Sequence, residues 1–108
     1  MAELDPAGSA SAWLEAQDED GTLVLRIFGE LDVTSADDVR SAVDSALGSE
    51  AERVVFDLGG LEFMDSSGIA LLLSVTGKVS EVQVRNPTAI IRRLLELTGL
   101  AETFRISQ

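Results

Sequence analysis

No cysteine and no histidine occurs anywhere in the sequence. The first absence excludes a disulfide, a thiolate zinc site and a cysteine nucleophile, and the second removes the imidazole base. Lysine is confined to one position, Lys78. The longest apolar run, Ile69 to Leu73, is far shorter than the roughly 20 residues that span a bilayer, so no direct membrane insertion is expected. Met1 to Pro6 contains no basic residue and no apolar stretch, so no secretory signal is expected and a cytoplasmic location is. Bases are scarce, 8 against 19 acids, for a net charge of −11. Such a chain repels phosphate backbones and anionic lipid surfaces, and nucleic acid is not an expected partner.

What remains is a chain of 108 residues, 45% apolar and 25% charged, which fits one globular domain with a real core. The charge is unevenly spread. Residues 1 to 65 hold 16 acids and 3 bases, net −13, and residues 66 to 108 hold 3 acids and 5 bases, net +2. Either the acids attract a basic protein face or they serve solubility.

Residues 1–10, rich in Ala, Gly, Ser and Pro, read as a flexible lead-in to a domain over 11–108. Trp13 to Ala16 and Thr22 to Phe28 read as antiparallel strands joined at Asp20-Gly21, with Leu23, Leu25 and Ile27 on one face. Residues 35 to 47 take a helical period with Ala36, Val39, Val43, Ala46 and Leu47 as the stripe. Ser35 and Asp38 are spaced as a capping box, and Gly48 stops the helix. Val54 to Leu58 is nearly continuous in apolar residues, as in a strand covered on both faces, and Gly59-Gly60 reads as the loop after it. Ser66 is expected to cap a short helix over 67–76 that Gly77 ends. Val82 to Val84 is a further strand. The last helix has Pro87 in its first turn, Ile90, Ile91, Leu94 and Leu95 as its stripe, and Gly99-Leu100 as its stop. Thr103 to Ile106 adds an edge strand. The order predicts an α/β sandwich, a mixed four- to five-stranded sheet packed with three main helices.

Few segments can carry chemistry. Asp18-Glu19-Asp20-Gly21 resembles part of a calcium loop, but Ala16 and Ile27 occupy its first and closing ligand positions. Gly77-Lys78 fails as a phosphate loop, with Leu72 and Val79 at its key positions, and Asn86-Pro87-Thr88 fails as a glycosylation site. No metal and no cofactor is expected. Met64-Asp65-Ser66-Ser67-Gly68 puts a hydroxyl on a sharp strand-to-helix turn. A hydrolase elbow would need a first glycine where Met64 stands and a base that only Lys78 could supply, so no catalytic residue is assigned. Ser66 remains either a plain helix cap or an acceptor of phosphate, which would add about −1.5 to −2 charges. The apolar residues Ile69 to Leu73 wrap around the helix axis, so another element or a partner must cover part of them.

The chain resembles the anti-sigma factor antagonists, bacterial domains grouped as STAS, from about residue 13 onward. Three ordered blocks carry the resemblance: Gly29-Glu30-Leu31-Asp32, Phe63-Met64-Asp65-Ser66-Ser67-Gly68, and Arg92 to Leu100. The resemblance implies a STAS-type sandwich and a partner switch. Unphosphorylated, the domain would bind an anti-sigma factor that is also a serine kinase and so release a sigma factor. Phosphorylation at Ser66 would end that binding, and a phosphatase would reverse it. Asp65, Ser67, Gly68, Glu30 and Asp32 are implied at the partner-binding site, the last two also serving as turn residues ahead of Ser35. The segment from Gly68 to Val84 is several residues shorter than in sporulation-type members, which predicts a curtailed second helix and an altered contact surface. A second reading is a STAS scaffold or accessory subunit in a stress-signalling complex or a lipid or anion transporter.

Overall fold

A computed structural model describes residues 11–48 and 52–107; the expected lead-in over 1–10 lies outside them. The elements are β1 (Ala12–Glu19), β2 (Thr22–Leu31), α1 (Ala36–Leu47), β3 (Arg53–Met64), α2 (Ser66–Thr76), β4 (Glu81–Arg85), α3 (Ala89–Leu97) and β5 (Ile106–Ser107). The strands form one mixed sheet whose spatial order follows the chain, β1-β2-β3-β4-β5. β1 and β2 pair antiparallel up to Glu19 and Thr22. Between them Asp20 and Gly21 both take positive φ, 54° and 86°, the two-residue turn that matches strand twist. The other neighbouring pairs are parallel, each bridged by a helix.

Because every crossover steps in the same direction and such connections are right-handed, all three helices fall on one face. A single core confirms this. Leu25 and Ile27 of β2, Val54, Phe56 and Leu58 of β3, and Val82 and Val84 of β4 join the buried stripes of the three helices there. The opposite face is open, which corrects the expectation that β3 is covered on both sides. Across that face the strand register sets Glu15, Arg26, Asp57 and Arg85 in one row of alternating charge. Asp57 lies 3.6 Å from Arg26 and 3.8 Å from Arg85. The next row is Gln17, Val24, Val55 and Gln83, and the two valines are buried there without any helix over them.

β3 also runs straight through Gly59 and Gly60, where a loop is expected from sequence. Its register against β2 shifts on both sides of Phe28, and the Phe28 ring lies so close over Gly60 that a Cβ there would come within 2.3 Å of it. The glycine therefore admits a ring and a bulge inside the strand, and does not end it. Trp13 stacks on the same ring, with centroids 5.4 Å apart.

α3 begins later than expected, capped by Thr88, with Pro87 one residue before the cap. It ends in a Schellman turn: Leu100 N–H donates to the Leu95 carbonyl and Gly99 N–H to that of Glu96. Ile91 and Leu95 face the core, whereas Ile90 is exposed. The edge strand is later too. Residues 103–105 turn so that Phe104 is fully buried, and only Ile106–Ser107 pairs with β4.

Gly29 has a φ of +92°, and a Cβ there would sit 2.1 Å from the Ser11 carbonyl oxygen. Gly21, at φ +86°, has open space around it. Gly29→Ala is expected to cost about 2–4 kcal/mol, and Gly21→Ala only about 1 kcal/mol of backbone strain. Urea unfolding checks both, and equal losses would show that the contact with Ser11 is unimportant.

Candidate functional site

β2 and β3 extend past the rest of the sheet, and their ends lie side by side, with Glu30 paired to Phe63 and Leu31 to Met64. The next residue of β3, Asp65, donates its N–H to the Leu31 carbonyl at 3.2 Å. This bond joins the turn after β2 to the start of α2. It brings Glu30, Asp32, Asp65, Ser66, Ser67 and Gly68 to one end of the molecule, as the resemblance implies.

The cap of α2 is Asp65, which corrects the assignment of that role to Ser66. Asp65 has extended backbone, and its Oδ1 accepts from Ser67 N–H at 2.8 Å. A carboxylate accepts this bond and also meets the positive end of the helix, so it displaces a hydroxyl as the cap. Ser66 thus occupies the first helical position. It is exposed, and no side-chain hydrogen bond among the described residues uses its hydroxyl. Ser67 is half-buried, tied by its N–H to Asp65.

Gly68 is buried, and a Cβ on it would come within 2.4 Å of the Met64 side chain and 3.0 Å of Leu31. Its role is to let α2 settle onto the two strand ends. From there Leu71, Leu72 and Val75 are buried, while Leu73 is 38% exposed. The sheet and α1 thus cover most of the wrapped apolar surface of α2, and not all of it. The helix is 11 residues long.

The turn after β2 is built by Asp32 and Ser35. Ser35 is buried and makes no side-chain cap for α1, so the expected capping box with Asp38 does not form. Its hydroxyl donates to the Glu30 carbonyl at 2.8 Å and accepts from Asp32 N–H at 3.1 Å. It is consumed in holding the turn. Asp32 Oδ1 accepts from the Thr34 hydroxyl at 2.7 Å, from Thr34 N–H at 3.0 Å and from Ser35 N–H at 3.2 Å. The Thr34 hydroxyl first, and then the two N–H groups, hold the Asp32 carboxyl below the usual aspartate range, against an opposing effect of desolvation.

Two apolar residues also belong to this end: Val33, which the sequence reading does not name, and Phe63, which it names only within the block that carries the resemblance. Val33 is 71% exposed in the turn, and Phe63 is 46% exposed beside Glu30. The signal for Val33 was an apolar residue inside a polar turn, off the stripe of α1. The surrounding stretches, residues 28–36 and 60–69, contain Glu30, Asp32, Glu62 and Asp65 and no lysine or arginine. The surface is acidic with two apolar points. Lys78, the sole candidate base, is paired with Asp44 at 2.8 Å, beyond the far end of α2, roughly 16 Å of helix away. Among the described residues no cluster of three or more acidic side chains could hold a metal ion, and no helix is long and apolar enough to cross a membrane.

Replacing Thr34 by valine removes the main donor to Asp32, so the Asp32 titration followed by carbon-13 NMR should move to higher pH. The sign for stability follows. A depressed carboxyl stabilises the fold above the ordinary aspartate range and loses that contribution as pH falls through its own folded value. Thr34→Val should therefore flatten the acid limb of the stability profile, and an unmoved titration would show that the Thr34 hydroxyl does not set it.

Residues 14–108 match the STAS domain. An anti-sigma F factor antagonist of Paenibacillus polymyxa is 35% identical over 92 residues, covering 81% of this chain and 79% of the relative. The crystal structure of an anti-sigma factor antagonist from Mycobacterium paratuberculosis superposes with a TM-score of 0.82 at 28% identity, over 89% of this chain and 85% of that one. The anti-sigma factor antagonist SpoIIAA in its unphosphorylated form gives 0.74 at 24% identity over 89% of both chains. In the phosphorylated form, described as the Bacillus cell fate determinant SpoIIAA, it gives 0.68 at 24% identity over 89% and 92%. SpoIIAA shares the fold: a mixed sheet with three helices. With its acidic Asp65-Ser66 turn at the joined ends of β2 and β3, the chain belongs to the STAS domain family, among the anti-sigma factor antagonists.

Proposed function

We propose that the protein is a phosphorylation-controlled anti-sigma factor antagonist acting in the cytoplasm. Unmodified, it binds an anti-sigma factor that is also a serine kinase, and a sigma factor is released. Phosphorylation of Ser66 ends the binding, and a phosphatase restores it. The domain has no catalytic residue of its own and needs no cofactor. The observation that carries this reading is the exposed Ser66 hydroxyl, which has no side-chain hydrogen bond among the described residues because Asp65 caps the helix. The named relatives support the class of activity, and the two solved forms of SpoIIAA support control by phosphate.

In this reading Glu30, Asp32, Asp65, Ser66 and Ser67 meet the partner, with Val33 and Phe63 as apolar anchors, while Gly68 shapes the surface from below. A phosphate on Ser66 adds about −1.5 to −2 charges beside four carboxylates, so any contact that buries it suffers repulsion and desolvation. At the first helical position the same charge is favoured by the helix dipole by about 0.3–1 kcal/mol. The fold therefore tolerates the modification and the interface does not.

Incubation with the cognate kinase and ATP, followed by fragment mass spectrometry, should place phosphate on Ser66 and none on Ser67. Ser66→Asp should keep its melting temperature within a few degrees of wild type, on the order of the dipole effect. Its affinity for the kinase should fall by about tenfold or more, roughly 1.4 kcal/mol. Phosphate on Ser67 alone, or wild-type binding by Ser66→Asp, overturns the reading.

The acidic surface bears on association rate. Asp37 and Asp38 are exposed in the first turn of α1, directly after the Asp32 turn, whereas Asp44 is neutralised by Lys78. Changing Asp37 and Asp38 to asparagine should slow association with a basic kinase face at low salt and leave dissociation nearly unchanged. Stopped-flow binding at two ionic strengths reads the difference, and an unchanged on-rate at low salt assigns these charges to solubility.

A further inference from the structure

Two strands border the sheet, and they differ. On one side β5 pairs through only two residues. On the other, β1 runs for eight residues with β2 as its one neighbour among the described residues. Successive residues of an antiparallel strand direct their backbone groups alternately at the partner and away from it. The Ser11 carbonyl accepts from Glu30 N–H. Counting in twos along an unbroken register, Trp13, Glu15, Gln17 and Glu19 face β2, and Ala12, Leu14, Ala16 and Asp18 turn their N–H and C=O groups outward. Ala12 is buried, whereas Leu14 is half-buried and Ala16 and Asp18 are exposed.

An edge of this kind is ordinarily blunted by a lysine, a proline or a bulge. β1 has none of the three. What it has is negative charge: residues 11–25 contain Glu15, Asp18, Glu19 and Asp20 and no lysine or arginine. Trp13, Glu15 and Glu19 share the open face of the sheet, and neither glutamate is ion-paired among the described residues. Arg26, across from Glu15, is committed to Asp57 at 3.6 Å and to the Gln17 side chain at 2.9 Å. Trp13 stacks one ring face on Phe28 and is 53% exposed. This edge repels a second copy, which would bring the same acids on a chain of net −11. It attracts a strand of opposite charge.

We propose that β1 accepts a basic extended segment of another protein as a further strand of the sheet. Leu14, Ala16 and Asp18 supply the backbone hydrogen bonds. Lysine or arginine side chains at alternate positions of the segment lie on the open face, against Glu15 and Glu19 and over the Trp13 ring. The docking draws on no property of Ser66 and goes beyond the switch.

The test uses the full chain and a synthetic peptide that alternates arginine with threonine, followed by amide chemical shifts and hydrogen exchange. Saturable shifts should map to β1. The amides of Leu14, Ala16 and Asp18 should exchange fast in the free protein, and saturating peptide should slow them by about tenfold or more, which loose ionic contact does not do. Ala16→Pro removes an outward N–H and no bond to β2, a change that an edge strand tolerates. It should abolish binding and keep its melting temperature within a few degrees of wild type. Glu15→Gln with Glu19→Gln should weaken binding by about fivefold, and added salt should weaken it too; this pair decides the matter even where Ala16→Pro fails to fold. No binding at millimolar peptide, equal binding of a peptide that alternates glutamate with threonine, or full binding by folded Ala16→Pro or by the glutamine pair would each overturn the proposal. So would shifts confined to the Ser66 end, outward amides already slow in the free chain, or self-association of the wild type that Ala16→Pro abolishes.

Discussion

Asp65 is the residue on which the arrangement of the site depends. Its N–H closes onto Leu31 at the end of β2, its carbonyl accepts the first helical bonds from Gly68 and Ile69, and its carboxylate holds Ser67 N–H. One residue thus ends a strand ladder, begins a helix and takes up the donor that a serine would otherwise satisfy. The geometry of Ser66 is a by-product of that work. Had the serine been the cap, its hydroxyl would have been engaged with the backbone, and any modification would have competed with folding.

The other half of the site has the same division of labour. Ser35 disappears into the turn, buried and bonded to the backbone of Glu30 and Asp32, so that the side chain of Glu30 stays exposed at the surface. Positioning is done by the buried Ser35 hydroxyl and the half-buried Asp32 and Asp65 carboxylates, while Glu30 and Ser66 stay exposed. Gly68 completes the pattern by removing a side chain altogether, which brings α2 down onto Met64 and Leu31.

Much of this was legible in the sequence, because local rules decide it. The Asp20-Gly21 turn, the α1 stripe and the Gly99 stop each follow from one or two residues and their neighbours in the chain. What was not legible depends on contacts between segments. The run from Val54 to Leu58 reads as buried on both faces, and only the register with β2 and β4 shows that Asp57 stands between Arg26 and Arg85 on an open face. Gly59-Gly60 reads as a loop until Phe28 is seen lying over it. Asp65 and Ser66 are both competent caps, and the bond from Asp65 to Leu31 sets where the strand ends and so decides between them.

The sheet has the same order in space as in the chain, with one short hairpin and three helical crossovers between immediate neighbours. Every strand that leaves the ribosome therefore finds the edge it needs already laid down, and no strand must wait for a later one to be inserted between it and its partner. Each parallel pair must still close across a helical crossover, which is slow, but the nearest-neighbour order limits the time a bare edge is exposed. Last along the chain come Phe104, fully buried in the core, and the two residues of β5 that pair with β4.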